Sequence, residues 1–550
     1  MKKILFIAEK TLLNSSIAYS NDVNLLLSSL KRDDAIIYIT NPEDLILSIN
    51  KEFINCQIIK INDWQKINNI KNDSYFKSAL FMLFSLSIPK ELKFASALNK
   101  YISIEEDKKI KKSQIDIIID RSEPISRTDQ YYRAAKKLFN LNNNYFDNPI
   151  FRENEGDKEI VVKIDQELSD KKQKTLGFET INLDFSNDNR ALTYENRHKL
   201  LRIFQTLDED DDNLSQITDK ILRNFGNLDN SEKLAIINII KKIYHCQINF
   251  EYFCLKPSNW YGGVAIELLG NKKKKITEQY SQIKLFHLIS KINHNILLDV
   301  QKNISDPNLI LKNAILDGVI IQEQVLYPEF GDLRIFTSFG KIQGLISRVP
   351  AKNETIANMA AGGHAEMFIN LVNKNIQEID ILEKELRKLG YDKIFDAIKA
   401  LLQNVKNSLA TNIGQNIKKS AFIGFDALLD EKDGKKYFAC NEINLSSAMG
   451  QNQIEIANLL EDLLKNTNFC HILGDIIGKI EISEDIPFML EKFDKFISPY
   501  VKFLIFQELI ENLSDELKFN LIAELHLQIS NINFNIINIS NYTINKIING

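Results

Sequence analysis

The first 150 residues alternate short apolar runs with a segment of helical spacing, and this alternation constrains the fold more than any other feature of the chain. Residues 4–8, 35–39 and 115–120 are apolar and rich in strand-forming side chains. Residues 22–30 lie between the first two runs and carry apolar side chains at helical spacing. The pattern predicts an α/β fold, with a mostly parallel sheet covered by helices on both faces. Ligands of such sheets collect at the carboxyl ends of strands, and Arg121 lies at one such end.

Length, charge and cysteine usage exclude several kinds of partner. The 550 residues are enough for more than one hydrophobic core, and a net charge of −4 gives no electrostatic reason to expect nucleic acid or an anionic membrane. No apolar run approaches the ~20 residues that span a bilayer. Five cysteines without CxxC spacing favour a reduced, cytoplasmic compartment. We therefore expect neither nucleic acid nor a membrane as a partner, while the oligomeric state, a homo-oligomer included, stays open.

Changes in pattern divide the chain into three predicted parts. Residues 1–150 form the α/β domain described above. Residues 151–470 combine short strands, hairpins and helices, and are interrupted at about 165–250 by a polar, helix-rich insertion. Residues 471–550 begin with helical spacing and end in an Ile/Asn-rich tail, so we expect a helical C-terminal extension.

A β-hairpin predicted between Gly424 and Asn444 would bring three oxygen-bearing side chains together. Two largely apolar runs flank a Glu-Lys-Asp-Gly turn, and folding about this turn places Asp426 opposite Glu442. Glu442 and Asn444 are two residues apart on one strand and therefore point to the same face. Such a trio suits a magnesium–nucleotide site, in which phosphates and water complete the coordination. The alternative is a polar hairpin face turned to solvent.

Two further segments carry positive charge suited to phosphate. A second hairpin around Gly340 places Arg334 and Arg348 on strands of one sheet, and arginine suits bidentate contact with phosphate. The alternative is a pair of surface arginines bound to neighbouring carboxylates. Lys256 lies at a strand end and is followed by Gly262 and Gly263, which allow the backbone to approach phosphate closely. A simple hairpin turn explains these glycines equally well.

Taken in order, eight motifs resemble the bacterial glutathione synthetase family of the ATP-grasp superfamily. They are Asp120-Arg121-Ser122-Glu123-Pro124, Asn148-Pro149 with Asp157-Lys158, Lys256-Pro257 with Gly262-Gly263, Gly331-Asp332-Leu333-Arg334, Arg348-Val349-Pro350, Asn358-Met359-Ala360-Ala361-Gly362-Gly363, Gly424-Phe425-Asp426, and Glu442-Ile443-Asn444-Leu445-Ser446-Ser447. The resemblance covers roughly residues 1–160 and 250–465. It implies an ATP-grasp fold preceded by a Rossmann-like N-terminal domain. No single motif is decisive, but their order is specific.

The resemblance also implies a role for each matching residue. The nucleotide is expected to contact Lys158, Lys256, Gly262, Gly263 and Asp332, and its adenine the backbone of Gln322, Glu323, Gln324 and Val325. Magnesium (or manganese) is expected at Asp426, Glu442 and Asn444. Arg334 and Arg348 match the catalytic arginines near the transferring phosphoryl and acyl groups. The substrates are expected near Arg121, Asn358, Gly362, Gly363 and Ser447.

The activity implied by the resemblance is the ATP-dependent joining of γ-glutamylcysteine to glycine through an acyl phosphate, with release of ADP and phosphate. The chain departs from the family at His364, where an arginine is expected, and at Ala448, where a proline is expected. It also has a longer segment between Lys158 and Lys256 and a C-terminal extension. Another ATP-grasp peptide or amide ligase, and a non-catalytic nucleotide-binding protein, are the alternatives.

Overall fold

A computed structural model shows a mixed α/β protein with three β-sheets in the part of the chain that it describes. The described residues are 2–7, 35–61, 76, 79–80, 83, 102–120, 122, 129–141, 144–146, 159–173, 175–211, 213–258, 265–303, 316–326, 331–350, 364–370, 376–420, 423–444, 459–479, 493, 495–511 and 513–529. The sheets have six, four and five strands, and each lies against its own hydrophobic core.

The N-terminal sheet has the order β4-β3-β2-β1-β5-β6. Its elements are β1 (Lys2–Ile7), β2 (Ala35–Thr40), α1 (Pro42–Leu47), β3 (Phe53–Ile61), β4 (Ile102–Lys111), β5 (Ile117–Asp120), α2 (Asp129–Leu141) and β6 (Tyr145–Phe146). The three predicted strands are present as β1, β2 and β5, and they run parallel. The expectation of a mostly parallel sheet overlooked β3 and β4, which pair antiparallel at one edge. The charged residues of β4 hide the apolar alternation that marks a strand, and the apolar residues of β3 do not alternate with polar ones.

Two parts of the prediction for this region are not tested. The helix predicted at 22–30 lies outside the described residues. The Rossmann-like description stays a prediction, because a parallel sheet is common to many α/β folds.

The second sheet has the order β7-β10-β8-β9 and is antiparallel throughout. Its strands are β7 (Thr180–Asp184), β8 (Phe253–Pro257), β9 (Glu267–Leu269) and β10 (Gly318–Glu323). The helices in this part of the chain are α3 (Glu159–Asp170), α4 (Ser186–Asn189), α5 (Tyr194–Ile203), α6 (Leu214–Arg223), α7 (Asn230–Tyr244) and α8 (Gln282–Asn303). The segment predicted as a helical insertion therefore also supplies a strand, since β7 pairs with β10.

The third sheet has the order β13-β12-β11-β14-β15 and is also antiparallel. Its strands are β11 (Asp332–Ser338), β12 (Lys341–Val349), β13 (His364–Asn370), β14 (Ile423–Lys432) and β15 (Lys435–Asn444). The remaining helices are α9 (Ile376–Lys388), α10 (Asp392–Ser408), α11 (Asn412–Ile417), α12 (Thr467–Lys479), α13 (Pro499–Glu511) and α14 (Asp515–Ile529). Together with α3, they bury apolar side chains in the core beneath this sheet.

The C-terminal helices share the core of the third sheet. Phe506 of α13 packs against Phe493 with ring centroids 4.3 Å apart, and both side chains are buried in that core. The carboxylate of Glu385 in α9 accepts hydrogen bonds from the backbone N–H groups of Ile497 and Ser498, just before α13 begins. The predicted extension is thus tied to the third core through residue 529. Among the described helices, none combines the length and apolar character needed for a membrane crossing.

Candidate active site

The hairpin of β14 and β15 has the register that its sequence predicts. Asp433 and Gly434 form its two-residue turn with φ angles of 53° and 71°, a conformation that suits these residue types. Asp426 pairs with Glu442, and Gly424 pairs with Asn444. Paired residues of antiparallel strands point to the same side. Asp426, Glu442 and Asn444 therefore share one face of the third sheet.

The hairpin of β11 and β12 brings both predicted arginines to this same face. Arg334 lies beside Asp426 across β11 and β14, and Arg348 lies opposite Asp332 across β11 and β12. Gly331 comes just before β11 with a φ of 73°, and a Cβ atom there would lie 1.8 Å from the backbone oxygen of Arg348. A glycine is therefore required where the two strands approach each other.

Asp426 is the centre of an ion-pair network on this face. Its carboxylate accepts hydrogen bonds from Nε and Nη2 of Arg334 at 2.6 and 2.5 Å, and from Nη2 of Arg348 at 3.0 Å. Asn444 donates from Nδ2 to the same carboxylate at 2.9 Å. Arg348 also forms a bidentate pair with Asp332, at 2.6 and 2.5 Å. The alternative that pairs the arginines with carboxylates is thus correct in part, but the pairs are buried or half-buried, not on the surface.

Burial and charge shift the pKa values of the two aspartates in opposite directions. Burial pushes the pKa of Asp426 upward, but Arg334 and Arg348 outweigh it and hold the pKa at about 2. Burial, followed by the charge of Asp426, raises the pKa of Asp332 to about 6 despite its pairing with Arg348. Asp426 therefore keeps its negative charge to a lower pH than Asp332 does.

Lys256 connects the second sheet to the third. It lies on β8 with only 4% of its surface exposed. Its Nζ donates to Oε1 of Gln322 at 2.5 Å and also to Oδ1 of Asn441 on β15. Asn441 is the extra residue of a β-bulge beside Asp426, which explains why its side chain leaves the regular alternation of the strand. The charge of Lys256 is thus brought to the edge of the arginine-bearing face. Neither spacing nor motif in the sequence identified Asn441.

The predicted adenine-binding segment, Gln322 to Val325, covers the end of β10 and the two residues after it, and hydrogen bonds connect it and the next residue to neighbouring strands. The side chain of Gln324 donates from Nε2 to the backbone oxygens of Phe253, Leu269 and Gly270 at 3.0 to 3.1 Å. The N–H of Leu326 donates to Asp430 on β14 at 3.0 Å. In contrast, no described residue accepts a hydrogen bond from the N–H of Val325. Within the described part of the chain, the N–H of Val325 is therefore available to a ligand.

Lys272 adds a second connection between this segment and the third sheet. Its Nζ lies 2.9 Å from the carboxylate of Glu323 and 3.4 Å from that of Asp430. Asp430 also accepts a hydrogen bond from the hydroxyl of Tyr437 at 3.2 Å. Asp430 carries no motif signal, and its buried position on β14 could be recognised only from the structure.

The donor set fits a magnesium ion at two of the three predicted ligands. Mg²⁺ is usually held by one or two protein oxygens, with phosphates and water filling the other positions. Among the described residues, none donates to the carboxylate of Glu442 or to Oδ1 of Asn444, so both oxygens are available. Asp426 differs, because its carboxylate already accepts four hydrogen bonds, three at Oδ2 and one at Oδ1. Its role as a metal ligand stays a prediction, and Oδ1, which accepts a single hydrogen bond, is the oxygen suited to it.

Several predicted residues lie outside the described part of the chain: Arg121, Lys158, Gly262, Gly263, Asn358, Gly362, Gly363 and Ser447. The strand end beside Arg121 is described, however. The buried carboxylate of Asp120 accepts hydrogen bonds from Ser122, from the hydroxyl of Tyr131 and from the hydroxyl of Tyr145. Ala448 lies outside the described residues, and His364 begins β13.

Comparisons with known proteins found similarity in structure only. No family model matches the chain, and no curated protein matches its sequence. Among solved structures, D-cycloserine synthetase DcsG matches with 8% identity and a TM-score of 0.36, over 83% of this chain and 99% of that one. D-alanine–D-alanine ligase from Bacillus anthracis matches with 12% identity and a TM-score of 0.32, over 82% and 88%. The ATP-grasp ligase PsnB matches with 9% identity and a TM-score of 0.32, over 81% and 91%. At such identities and TM-scores the similarity says nothing about this chain's activity.

Proposed function

We propose that the chain is an ATP-dependent ligase of the ATP-grasp type, which joins a carboxylate to an amine through an acyl phosphate. The observation that carries the proposal is a face of the third sheet that gathers Arg334, Arg348, Asp426 and Glu442, with Lys256 reaching it from the second sheet. Buried cations held by carboxylates are suited to negative charge that develops during phosphoryl and acyl transfer.

The nucleotide would lie between the second and third sheets. Its adenine would accept a hydrogen bond from the N–H of Val325, which no described residue uses. Its phosphates would extend toward Lys256, whose acceptors include the neutral amide oxygens of Gln322 and Asn441. A phosphate is a stronger acceptor for an ammonium group than an amide oxygen is. Glu442 and Asn444 would hold Mg²⁺, which would shield the negative charge of the phosphates.

Two steps complete the proposed reaction. A carboxylate oxygen attacks the γ-phosphorus, and the bond from that phosphorus to the bridging oxygen of ADP breaks. The amine nitrogen then attacks the acyl carbon, the bond from this carbon to the phosphate oxygen breaks, and the nitrogen loses a proton. Arg334 and Arg348 use Nε and Nη2 for their aspartate partners, and no described residue accepts a hydrogen bond from their Nη1 groups, which would contact phosphate or acyl oxygens. Asp426 and Asp332 hold both guanidinium planes in place before substrate arrives.

The specific substrates we propose are γ-glutamylcysteine as the acid and glycine as the amine. The proposal rests on the order of the eight motifs, including Arg121, Asn358, Gly362, Gly363 and Ser447 on the substrate side. The departures at His364 and Ala448 fall on that same side, so a ligase for another acid and amine is the second candidate. Both candidates share the nucleotide site described above.

Phosphate release from ATP tests the proposal directly. The purified chain is incubated with γ-glutamylcysteine and glycine, or with a panel of other acids and amines, with and without Mg²⁺. Hydroxylamine in place of the amine should yield a hydroxamate, which reports the acyl phosphate. Phosphate release that needs both an acid and Mg²⁺ supports the ligase. ATP binding with no acid in the panel turned over would instead favour a non-catalytic nucleotide-binding protein.

Arg348→Ala locates the activity at this site. Loss of one preorganised donor typically lowers turnover by ~100–1000-fold, and we expect at least this loss. Asp433→Asn is the matched control, because it changes an exposed turn residue on the same hairpin and keeps a residue type that tolerates positive φ. Near-normal turnover of Arg348→Ala would refute the placement of the reaction on this face.

A further inference from the structure

Two amide side chains, one from each of two sheets, hold the ammonium group of Lys256. Gln322 lies on β10 of the second sheet, as Lys256 does on β8, and Asn441 lies on β15 of the third sheet. Nζ of Lys256 donates to Oε1 of Gln322 and to Oδ1 of Asn441. An ammonium group is only a donor, so each amide must turn its oxygen toward Lys256 and its NH₂ group away from it. The contact with Lys256 therefore fixes the orientation of both amides.

The NH₂ groups of these two amides have no acceptor in the described part of the chain. Neither Nε2 of Gln322 nor Nδ2 of Asn441 donates a hydrogen bond to a described residue. Since neither is among the buried polar atoms that lack a partner, both keep contact with solvent. Asn441 is half-buried as a residue, so its NH₂ group in particular is open to a ligand. An amide that served only to pack would satisfy its donors within the protein.

The β-bulge on β15 makes Asn441 available for this contact. Asp426 pairs with Glu442 and the next residue of β14 pairs with Cys440, so Asn441 has no partner on β14. Regular alternation would place Asn441 on the opposite face of the sheet from Glu442. The bulge turns its side chain instead, and the side chain reaches Lys256. Asn441 therefore lies beside the polar face of the third sheet without belonging to its regular alternation.

We infer that Gln322 and Asn441 position Lys256 with their oxygens and donate their NH₂ groups to the same phosphate of the nucleotide. The inference rests on the proposed function, because it places that phosphate where Lys256 would contact it. Both amides are neutral, so neither cancels the charge of Lys256, and one phosphate would meet an ammonium group and two amide donors. Hydrogen bonds to an ionised acceptor are about twice as strong as those between neutral groups. Gln322, whose backbone the resemblance assigns to adenine, would thus serve the phosphates through its side chain.

Isothermal titration calorimetry of the full chain with ADP and with adenosine, both in the presence of Mg²⁺, tests the inference. Asn441→Leu removes both polar groups, whereas Asn441→Asp keeps an acceptor for Lys256 and puts a negative charge in place of the donor. We expect Asn441→Leu to weaken ADP binding about tenfold or more, and Asn441→Asp to weaken it further. Gln322→Glu makes the same change on the second sheet and should weaken ADP binding as Asn441→Asp does. Adenosine has no phosphate and should bind both Asn441 variants as it binds the native protein.

Gln403→Glu is the matched control, because it adds the same negative charge at an exposed amide of α10 and should leave both affinities unchanged. ADP binding by the Asn441 variants as tight as that of Gln403→Glu would overturn the inference and leave the nucleotide site in place. An equal loss of ADP and adenosine binding would do the same, because it would show that Asn441 supports only the fold. A native protein that binds ADP no more tightly than adenosine would overturn both the inference and the proposed position of the phosphates.

Discussion

Replacing Asp426 by asparagine removes the negative charge that holds both arginines of the candidate active site and leaves the shape of the side chain nearly unchanged. In the native protein the carboxylate accepts three hydrogen bonds from Arg334 and Arg348. An asparagine presents one oxygen and one N–H₂ group, so part of the guanidinium surface would face another donor. We expect Asp426→Asn to destabilise the third sheet.

Two independent estimates give the size of the effect. Each hydrogen bond to a charged group contributes about 1.5–3 kcal/mol, and the variant loses at least one of the three. The pKa of Asp426 falls from its ordinary value of 3.8 to about 2, which corresponds to about 2 kcal/mol at 1.36 kcal/mol per unit. Both estimates place the loss in the free energy of unfolding at about 2–3 kcal/mol near pH 7.

The sign of the pH dependence gives a second readout. Because the folded-state pKa of Asp426 is lowered, its stabilising contribution is present above pH about 4 and is lost as the pH falls toward 2. The difference in free energy of unfolding between the native protein and Asp426→Asn should therefore become smaller as the pH falls from about 4 to 2. Urea unfolding, monitored by circular dichroism, measures this difference. Hydrogen exchange of the backbone amides of β11 and β14 shows whether the loss of stability lies in the third sheet. Stability and exchange equal to those of Asp433→Asn would refute the ion-pair network.

Three further predictions concern Glu442 and Asp332 on the third sheet and Lys256 on the second sheet. Glu442→Gln should lower turnover by ~100-fold or more and raise the Mg²⁺ concentration for half-maximal activity, whereas an unchanged Mg²⁺ titration would contradict its role as a ligand. Lys256→Met should raise KM for ATP about tenfold or more with little change in KM for the amine, and equal changes in both would argue against a phosphate contact. For Asp332, whose pKa is raised by burial to about 6, the sign is reversed: native stability should fall by on the order of 2 kcal/mol as pH rises from about 4 to 6. When Tm is measured at a series of pH values, Asp332→Asn should not show this fall in stability. If its Tm falls with pH as steeply as that of the native protein, the raised pKa of Asp332 is ruled out.

The local features of the site could be predicted because their causes are local. Apolar residues at every second position place Leu333, Ile335 and Phe425 in the core, so the residues between them must face the other side. Turn residues that accept positive φ, such as Asp433 and Gly434, determine where the hairpin reverses and hence its register. The shared face of Asp426, Glu442 and Asn444 follows from this register alone.

Other features depend on contacts between distant parts of the chain. The edge strand β4 was missed because its charged residues leave no apolar pattern, and the inner strand β3 was missed because its apolar residues do not alternate with polar ones. Asn441 escaped notice because a β-bulge, not the strand period, turns its side chain toward Lys256, 185 residues earlier. No spacing rule connects residues so far apart.

The sequence by itself determined the mixed α/β class, the two hairpins and which side chains share their polar face. Only the tertiary structure decided the partners on that face: Asp426 binds arginines from two neighbouring strands, 92 and 78 residues away, instead of facing solvent. The physical reason is that alternation along a strand requires only the residues of that strand. The choice of partner for a buried charge depends on which strands pair and on how much water their packing excludes.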